Sequence, residues 1–279
     1  MSELQQVEHP PADGAPEPHV VAALNYIAPM TEKPWRLTYE PAPGESAGNA
    51  RYEAHDVPIH DVRALDPAPG LDDAGFALLH APSALADFDD EQRIEQVYHP
   101  ESADIVRRAI GASRVVVFDH TIRRHVPGAP RLPVTRVHND YTETSAPQRV
   151  RDLMGDEAET LLRGRFAIVN VWRPIGGPAI DAPLAVADAR SVAFEDFVAS
   201  DLVYRDRVGE TYNVNHAPRH RWFYAPAMTP DEVLLLKCYD SATDGRARYT
   251  AHSAFLDPTA PADTRPRESI EIRTLAFFD

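Results

Sequence analysis

From Arg165 to Phe278 the chain reads as one short strand after another, and this constrains its fold more than any other feature. The segments RFAIVNVWRPI (165–175), APLAVADARSV (182–192), DLVYRDRVGETYNVNHA (201–217), HRWFYAPAM (220–228), DEVLLLKCYDS (231–241), RYTAHSAF (248–255) and ESIEIRTLAFF (268–278) follow in succession. Most are rich in β-branched and aromatic residues, which suit a pleated, half-buried surface. Turn signals such as IGGP, TPDE, ATDG and DPTAPADTRP separate them. Seven short strands at this spacing argue for a sandwich or a barrel. VVVF and the extended stretch leading into His138 bring the total to eight or nine. The expected fold is mainly β with flanking helices, a jelly roll with helices packed outside. The 26 prolines against 13 glycines agree, because proline ends helices and punctuates turns.

Residues 1–19 are polar, acidic and proline-rich, and read as a disordered tail with too little apolar surface to offset the entropy of ordering. One domain is then expected over 20–279, with a mixed α/β part over 20–112 and the jelly-roll core over 113–279. VVAALNYIA (20–28) is its first ordered element, and WRLTYE and ARYEAHDVPIHD are expected to pair as a hairpin around PAPGESAGN. In DDEQRIEQVYHPESADIVRRAIG, the residues Ile94, Val97, Ile105, Val106 and Ile110 recur at helical intervals. HPES is expected to break this stretch into two helices. SRVVVFDHTIRRH (113–125) reads as a buried strand, and TSAPQRVRDLMGDEAETLLRG as a helix pair ended by Gly164.

Charge narrows the partners. A formal net charge of −15 disfavours nucleic acid and anionic membranes, which need clustered Lys and Arg. No apolar run approaches the roughly 20 residues that span a bilayer, and the first residues lack the basic start and apolar core of a signal peptide. A single cysteine, Cys238, excludes an internal disulfide framework and a Cys-cluster zinc site. A cytoplasmic protein acting on a small molecule, as a monomer or a homodimer, is the expectation.

The chemistry concentrates in RVHNDYT. His138 and Asp140 are two residues apart at the end of a strand, so their side chains share a face. An imidazole and a carboxylate suit Fe(II), and a two-His-one-carboxylate triad leaves three positions open for cosubstrate and dioxygen. The plain alternative is that Asp140 caps a turn and His138 is an ordinary strand residue. Of 12 histidines, His252 stands out as a third ligand, inside a short β-type run 112 positions after Asp140 (252 − 140). Arg267 and Ser269, two residues apart at the entry of the last strand, suit a carboxylate clamp. The cosubstrate 2-oxoglutarate needs such an anchor. Arg273 shares that face in a regular strand and is the second candidate; surface ion pairing is the alternative for both arginines.

FDHTIRR, RVHNDYT, IVNVWRPIGGP, PLAVADARS, DEVLLLKCYDS, AHSAF and PRESIEIR together resemble the hydroxylase/desaturase family of secondary metabolism. Its members include a fungal gibberellin desaturase, an aspergillic acid hydroxylase/desaturase and a protein of cephamycin methoxylation. The resemblance runs from about residue 20 onward. It implies a non-haem Fe(II), 2-oxoglutarate-dependent dioxygenase on a double-stranded β-helix, the cupin-like jelly roll, that hydroxylates or desaturates an unactivated C–H bond. His138, Asp140 and His252 match the expected ligands, and Arg267 the cosubstrate arginine. NVWRP recurs in the family, which implies that Asn170, Trp172 and Arg173 line the pocket; the alternative is a barrel strand ending at Pro174. His120, Arg123 and Arg124 face the barrel mouth or form a solvated basic turn. Asn139 and Tyr141 differ from what many members carry and bear on the substrate side, while Tyr224 and Tyr239 read as core. Two rivals are an iron oxidase or isomerase without 2-oxoglutarate and a non-catalytic jelly roll that binds a small ligand. No Gly-rich strand-to-helix loop supports a nucleotide-type cofactor.

Overall fold

The computed structural model describes residues 5–6 and 19–279. Fifteen strands fall among them. The first seven are β1 (Gln5–Gln6), β2 (His19–Ile27), β3 (Trp35–Leu37), β4 (Tyr52–Asp61), β5 (Phe76–His80), β6 (Arg114–Arg124) and β7 (His138–Asn139). The rest are β8 (Phe166–Pro174), β9 (Leu184–Ala187), β10 (Phe197–Val203), β11 (Val208–Val214), β12 (Trp222–Tyr224), β13 (Glu232–Asp240), β14 (His252–Ala254) and β15 (Glu268–Phe277). The α-helical segments are α1 (Glu91–Arg93), α2 (His99–Ile110), α3 (Ser145–Met154) and α4 (Ala158–Leu161). None is long and apolar enough to cross a membrane.

Two sheets carry the strands, one of six in the order β1-β5-β13-β8-β15-β6 and one of nine in the order β2-β4-β12-β9-β14-β7-β11-β10-β3. Between them lies a core in which Phe76, Ile168, Leu234 and Leu275 meet Val186 and Phe223. The opposite face of the six-stranded sheet presents Val169, Val171, Leu235 and Ile272 to Ile94, Tyr98, Ile105 and Val106 of the helical layer. β8 and β13 are therefore buried at every residue, which is why FAIV and VLLL run apolar on both faces without alternation. A third core forms where Leu24 of β2 and Ile59 of β4 pack with Val137, Ala187 and Trp222 on the outside of the nine-stranded sheet.

Several expectations change. The hairpin around PAPGESAGN does not form: β4 pairs with β2 and β12, β3 adds in parallel to β10, and one bridge joins Arg36 to Gly48. The alternating Ala22, Leu24 and Tyr26 of β2 offer β4 far more apolar contact than the three residues of β3 can. HPES does not break the helix either. Pro100 sits in the first turn of α2, where its missing N–H costs nothing, and a π-helical turn over Ile94–Tyr98 leads into it. β6 is a half-buried edge strand, not a buried one. DLVYRDRVGETYNVNHA contains the β10–β11 hairpin, with no Gly or Pro at its turn to announce it. Of the tail expected over 1–19, Gln5–Gln6 pair with β5 and His19 opens β2; the other residues lie outside the described ones.

Arg173 is the clearest correction. Along β8, Asn170 and Trp172 face between the sheets, and period two sends Arg173 to the opposite face. There its Nε donates to the Tyr98 hydroxyl at 2.9 Å and its Nη2 to the Ala81 carbonyl at 2.6 Å, with Nη1 on the Pro230 carbonyl. It pins the helical layer to the sheet and does not line the pocket. Replacing Arg173 by Met leaves two buried carbonyls without donors and is expected to cost about 3 kcal/mol. A lower urea midpoint with an unchanged slope is the measurement that shows it.

Candidate metal centre

β7 and β14 pair with His138 directly opposite His252. Opposed residues on neighbouring strands share a face, so both imidazoles enter the space between the sheets, with ring centroids 4.4 Å apart. The Asp140 Oδ1 stands 3.6 Å from His138 Nε2, and one ligand atom from each of the three residues lies within 4.8 Å of the others. Each imidazole is oriented from behind. His138 Nδ1 donates to the Arg136 carbonyl and His252 Nδ1 to the Thr250 carbonyl, both at 2.9 Å. This leaves the Nε2 lone pairs for a metal. Thr250 is itself held, its hydroxyl donating to the Gly75 carbonyl at 2.6 Å. Gly75 adopts φ +84° and lies so close that any Cβ would strike that hydroxyl.

The protonation states suit a cation. Burial, the second imidazole and Arg136 push the His138 pKa well down, so the ring is neutral. Burial acts to raise the Asp140 pKa, but the Arg273 charge above all, with the Asn170 hydrogen bond, outweighs it and holds the carboxylate well below its usual range. Two imidazoles and one carboxylate, crowded together and buried, match the donor set of a non-haem Fe(II) centre.

The six-stranded sheet supplies the surroundings. Asn170 donates from Nδ2 to Asp140 Oδ2 at 2.9 Å and to Glu271 Oε1 at 3.0 Å. Arg273 donates to Asp140 Oδ2 at 3.1 Å, Glu271 Oε2 at 2.9 Å, Asp119 Oδ2 at 2.9 Å and Thr121 Oγ1 at 3.1 Å. Its guanidinium is fully engaged, so Arg273 orients Asp140 and is not free to anchor a cosubstrate. Glu271 escaped sequence reasoning, although its place between Ser269 and Arg273 on one face of β15 was the available signal.

Arg267 is different. It is 3% exposed, and one side-chain bond is made, from Nη1 to the Ala182 carbonyl at 2.5 Å. The guanidinium carbon lies 5.5 Å from the centre of the Trp172 ring. Its Nε is buried with no partner, and burial pulls its pKa down to about 10. Ser269, also buried, follows on the same face.

Of the FDHTIRR residues, Arg123 faces the interior, opposite Ser269 in register, and donates to the Leu132 carbonyl at 3.0 Å. Arg124 is bound to Glu268 and Asp89, and His120 sits between His99 and Glu91. Asn139 does not shape a substrate side: it is buried and donates to the Tyr141 and Cys238 carbonyls at 2.7 and 2.8 Å. Tyr141 is buried beside Phe118, and Tyr224 and Tyr239 are core as expected.

Comparison with known proteins agrees with this geometry. A family model described as an oxidoreductase/YMDC permease-like domain matches residues 24–277. The hydroxylase/desaturase efuI of Hormonema carpetanum is 34% identical, covering 82% of this chain and 85% of its own length. The Fe(II)/2-oxoglutarate-dependent dioxygenase nvfI of Aspergillus novofumigatus is 33% identical, covering 87% and 90%. A solved structure of the iron and alpha-ketoglutarate-dependent endoperoxidase NvfI matches with a TM-score of 0.85 at 30% identity, over 93% of this chain and 98% of that one. The fold and donor set thus define a jelly-roll oxidoreductase that uses Fe(II), 2-oxoglutarate and dioxygen. The chain belongs to the family of these hydroxylase/desaturases and Fe(II)/2-oxoglutarate-dependent dioxygenases.

Replacing Arg273 by Gln removes the cation that keeps Asp140 ionised and aimed. Fe(II) affinity, titrated without oxygen, is expected to fall about 10- to 100-fold.

Proposed function

We propose that His138, Asp140 and His252 hold the Fe(II), and that Arg267 and Ser269 seat the distal carboxylate of 2-oxoglutarate. The enzyme then oxidises an unactivated C–H bond of a small molecule, by hydroxylation or desaturation. The observation that carries the cosubstrate assignment is Arg267: a buried guanidinium with an unpartnered Nε and no carboxylate bound to it. Such a cation is costly in a dry interior until a carboxylate joins it, and a carboxylate matches its geometry.

When bound there, Fe(II) would supply the redox chemistry that links oxidative decarboxylation of the oxoacid to oxidation of the substrate. The chain's part is positional. The three side chains that would hold the metal approach from the nine-stranded sheet and the loop after β7. Trp172 backs the Arg267 guanidinium and helps keep that end of the site dry. Asn170 and Arg273 hold Asp140 in one orientation through turnover. The relatives' names include both hydroxylase/desaturase and endoperoxidase; two neighbouring hydrogens within reach would favour an alkene, and one an alcohol. The acidic charge and the single, buried Cys238 support a cytoplasmic location.

Purified protein given Fe(II), 2-oxoglutarate and ascorbate is expected to release succinate. Arg267→Ala raises the KM for 2-oxoglutarate on the order of 100-fold and leaves anaerobic Fe(II) titration unchanged. His252→Ala loses the metal itself. Succinate release by Arg267→Ala at wild-type KM would overturn the assignment.

A further inference from the structure

The arginines of this chain are unevenly matched with acids. Acidic residues outnumber basic ones by 43 to 28, and Arg63, Arg165, Arg190, Arg219, Arg246 and Arg248 all pair with carboxylates. Four guanidinium groups instead bury an Nε that meets no partner: Arg36, Arg136, Arg149 and Arg267. The oxoacid accounts for Arg267. Arg149 lies 5.6 Å from the centre of the Phe118 ring, which takes up its face. Arg36 and Arg136 have no such explanation. Neither side chain makes a hydrogen bond or an ion pair with any described residue.

Their placement ties them to the metal centre. Arg136 precedes His138 by two residues, on the same face of an extended segment and about 7 Å along it, and its carbonyl holds the His138 ring. Arg36 comes from β3 and bridges Gly48, just ahead of Tyr52 on β4, while Arg136 bridges Asn25 on β2, the strand paired with β4. Beside them, the Tyr52 hydroxyl donates at 3.2 Å to Asn213, the residue opposite His138 in register. The nearby acid, Asp140, is already bound by Arg273 and Asn170. Two half-buried guanidiniums, each with an Nε that no acid meets, are costly in this setting, and an anion offers the acceptors that both lack.

We propose that Arg36 and Arg136 form an anion subsite that seats a carboxylate of the substrate, so that the small molecule oxidised is a carboxylic acid. This rests on the iron and 2-oxoglutarate reading above.

Calorimetric titration of anaerobic protein loaded with Fe(II) and saturating 2-oxoglutarate tests this, with octanoate, octyl phosphate and octan-1-ol as probes. Octanoate is expected to bind at least about tenfold more tightly than octan-1-ol. Arg36→Gln and Arg136→Gln each reduce that preference, and Arg136→Lys restores part of it, while the visible charge-transfer band of bound iron and oxoacid persists. Equal binding of octanoate and octan-1-ol by the wild type overturns the subsite without recourse to any variant. A preference that survives both substitutions overturns it too, and tighter binding of octyl phosphate than of octanoate overturns the carboxylate assignment. Failure of the iron reading shows separately, as a wild-type protein that develops no visible band.

Discussion

Two imidazoles 114 positions apart (252 − 138) stand side by side because β7 and β14 pair in one register. Both strands are short, two and three residues long, so their own ladder hydrogen bonds are few. The register is held from outside: β9 pairs with all three residues of β14, β11 with both residues of β7, and Gly75 grips Thr250 just before His252. A slip of one residue in either strand would turn an imidazole to the other face of the sheet. The candidate metal centre therefore depends on the packing of neighbours far more than on its own strands.

The second dependence is between the sheets. The nine-stranded sheet and the loop after it bring the candidate ligands, and the six-stranded sheet brings Asn170, Glu271, Arg273 and Arg267. Neither set is complete alone. Arg273 joins them electrically, since its charge opposes the desolvation that would otherwise neutralise Asp140. Its four acceptors fix it on that task. Arg267, just before β15, makes one side-chain hydrogen bond, and that contrast is what favours it over Arg273 as the proposed anchor.

That contrast marks the limit of what was legible in the chain. His138, Asp140 and His252 could be read because the first two alternate at a strand end and the third lies in a short β run. Arg267, Ser269 and Arg273 could be placed on one face by period two, but which arginine was free depended on Glu271, Asp119 and Thr121 arriving from two strands. Arg173 belongs to the block NVWRP in sequence only: alternation from Asn170 sends it to the other side of the sheet. The absent hairpin and the unannounced β10–β11 turn have different causes: long-range apolar matching draws β4 to β2, whereas β10 and β11 pair locally through a turn without Gly or Pro. Arg36 and Arg136 gave no signal at all, because an arginine shows itself as unmatched only once every acid has been placed.

The order of the nine strands has one more consequence. β14 and β7 lie inside that order, whereas β3, which carries Arg36, is its terminal strand and is joined to β10 by three residue pairs. Changes of length or composition in the segment around β3 would leave the inner ladder intact. Descendants of such a chain could thus drift in what they accept at the periphery while inheriting the same oxidising chemistry unaltered, a division of labour between a frozen interior and an editable rim.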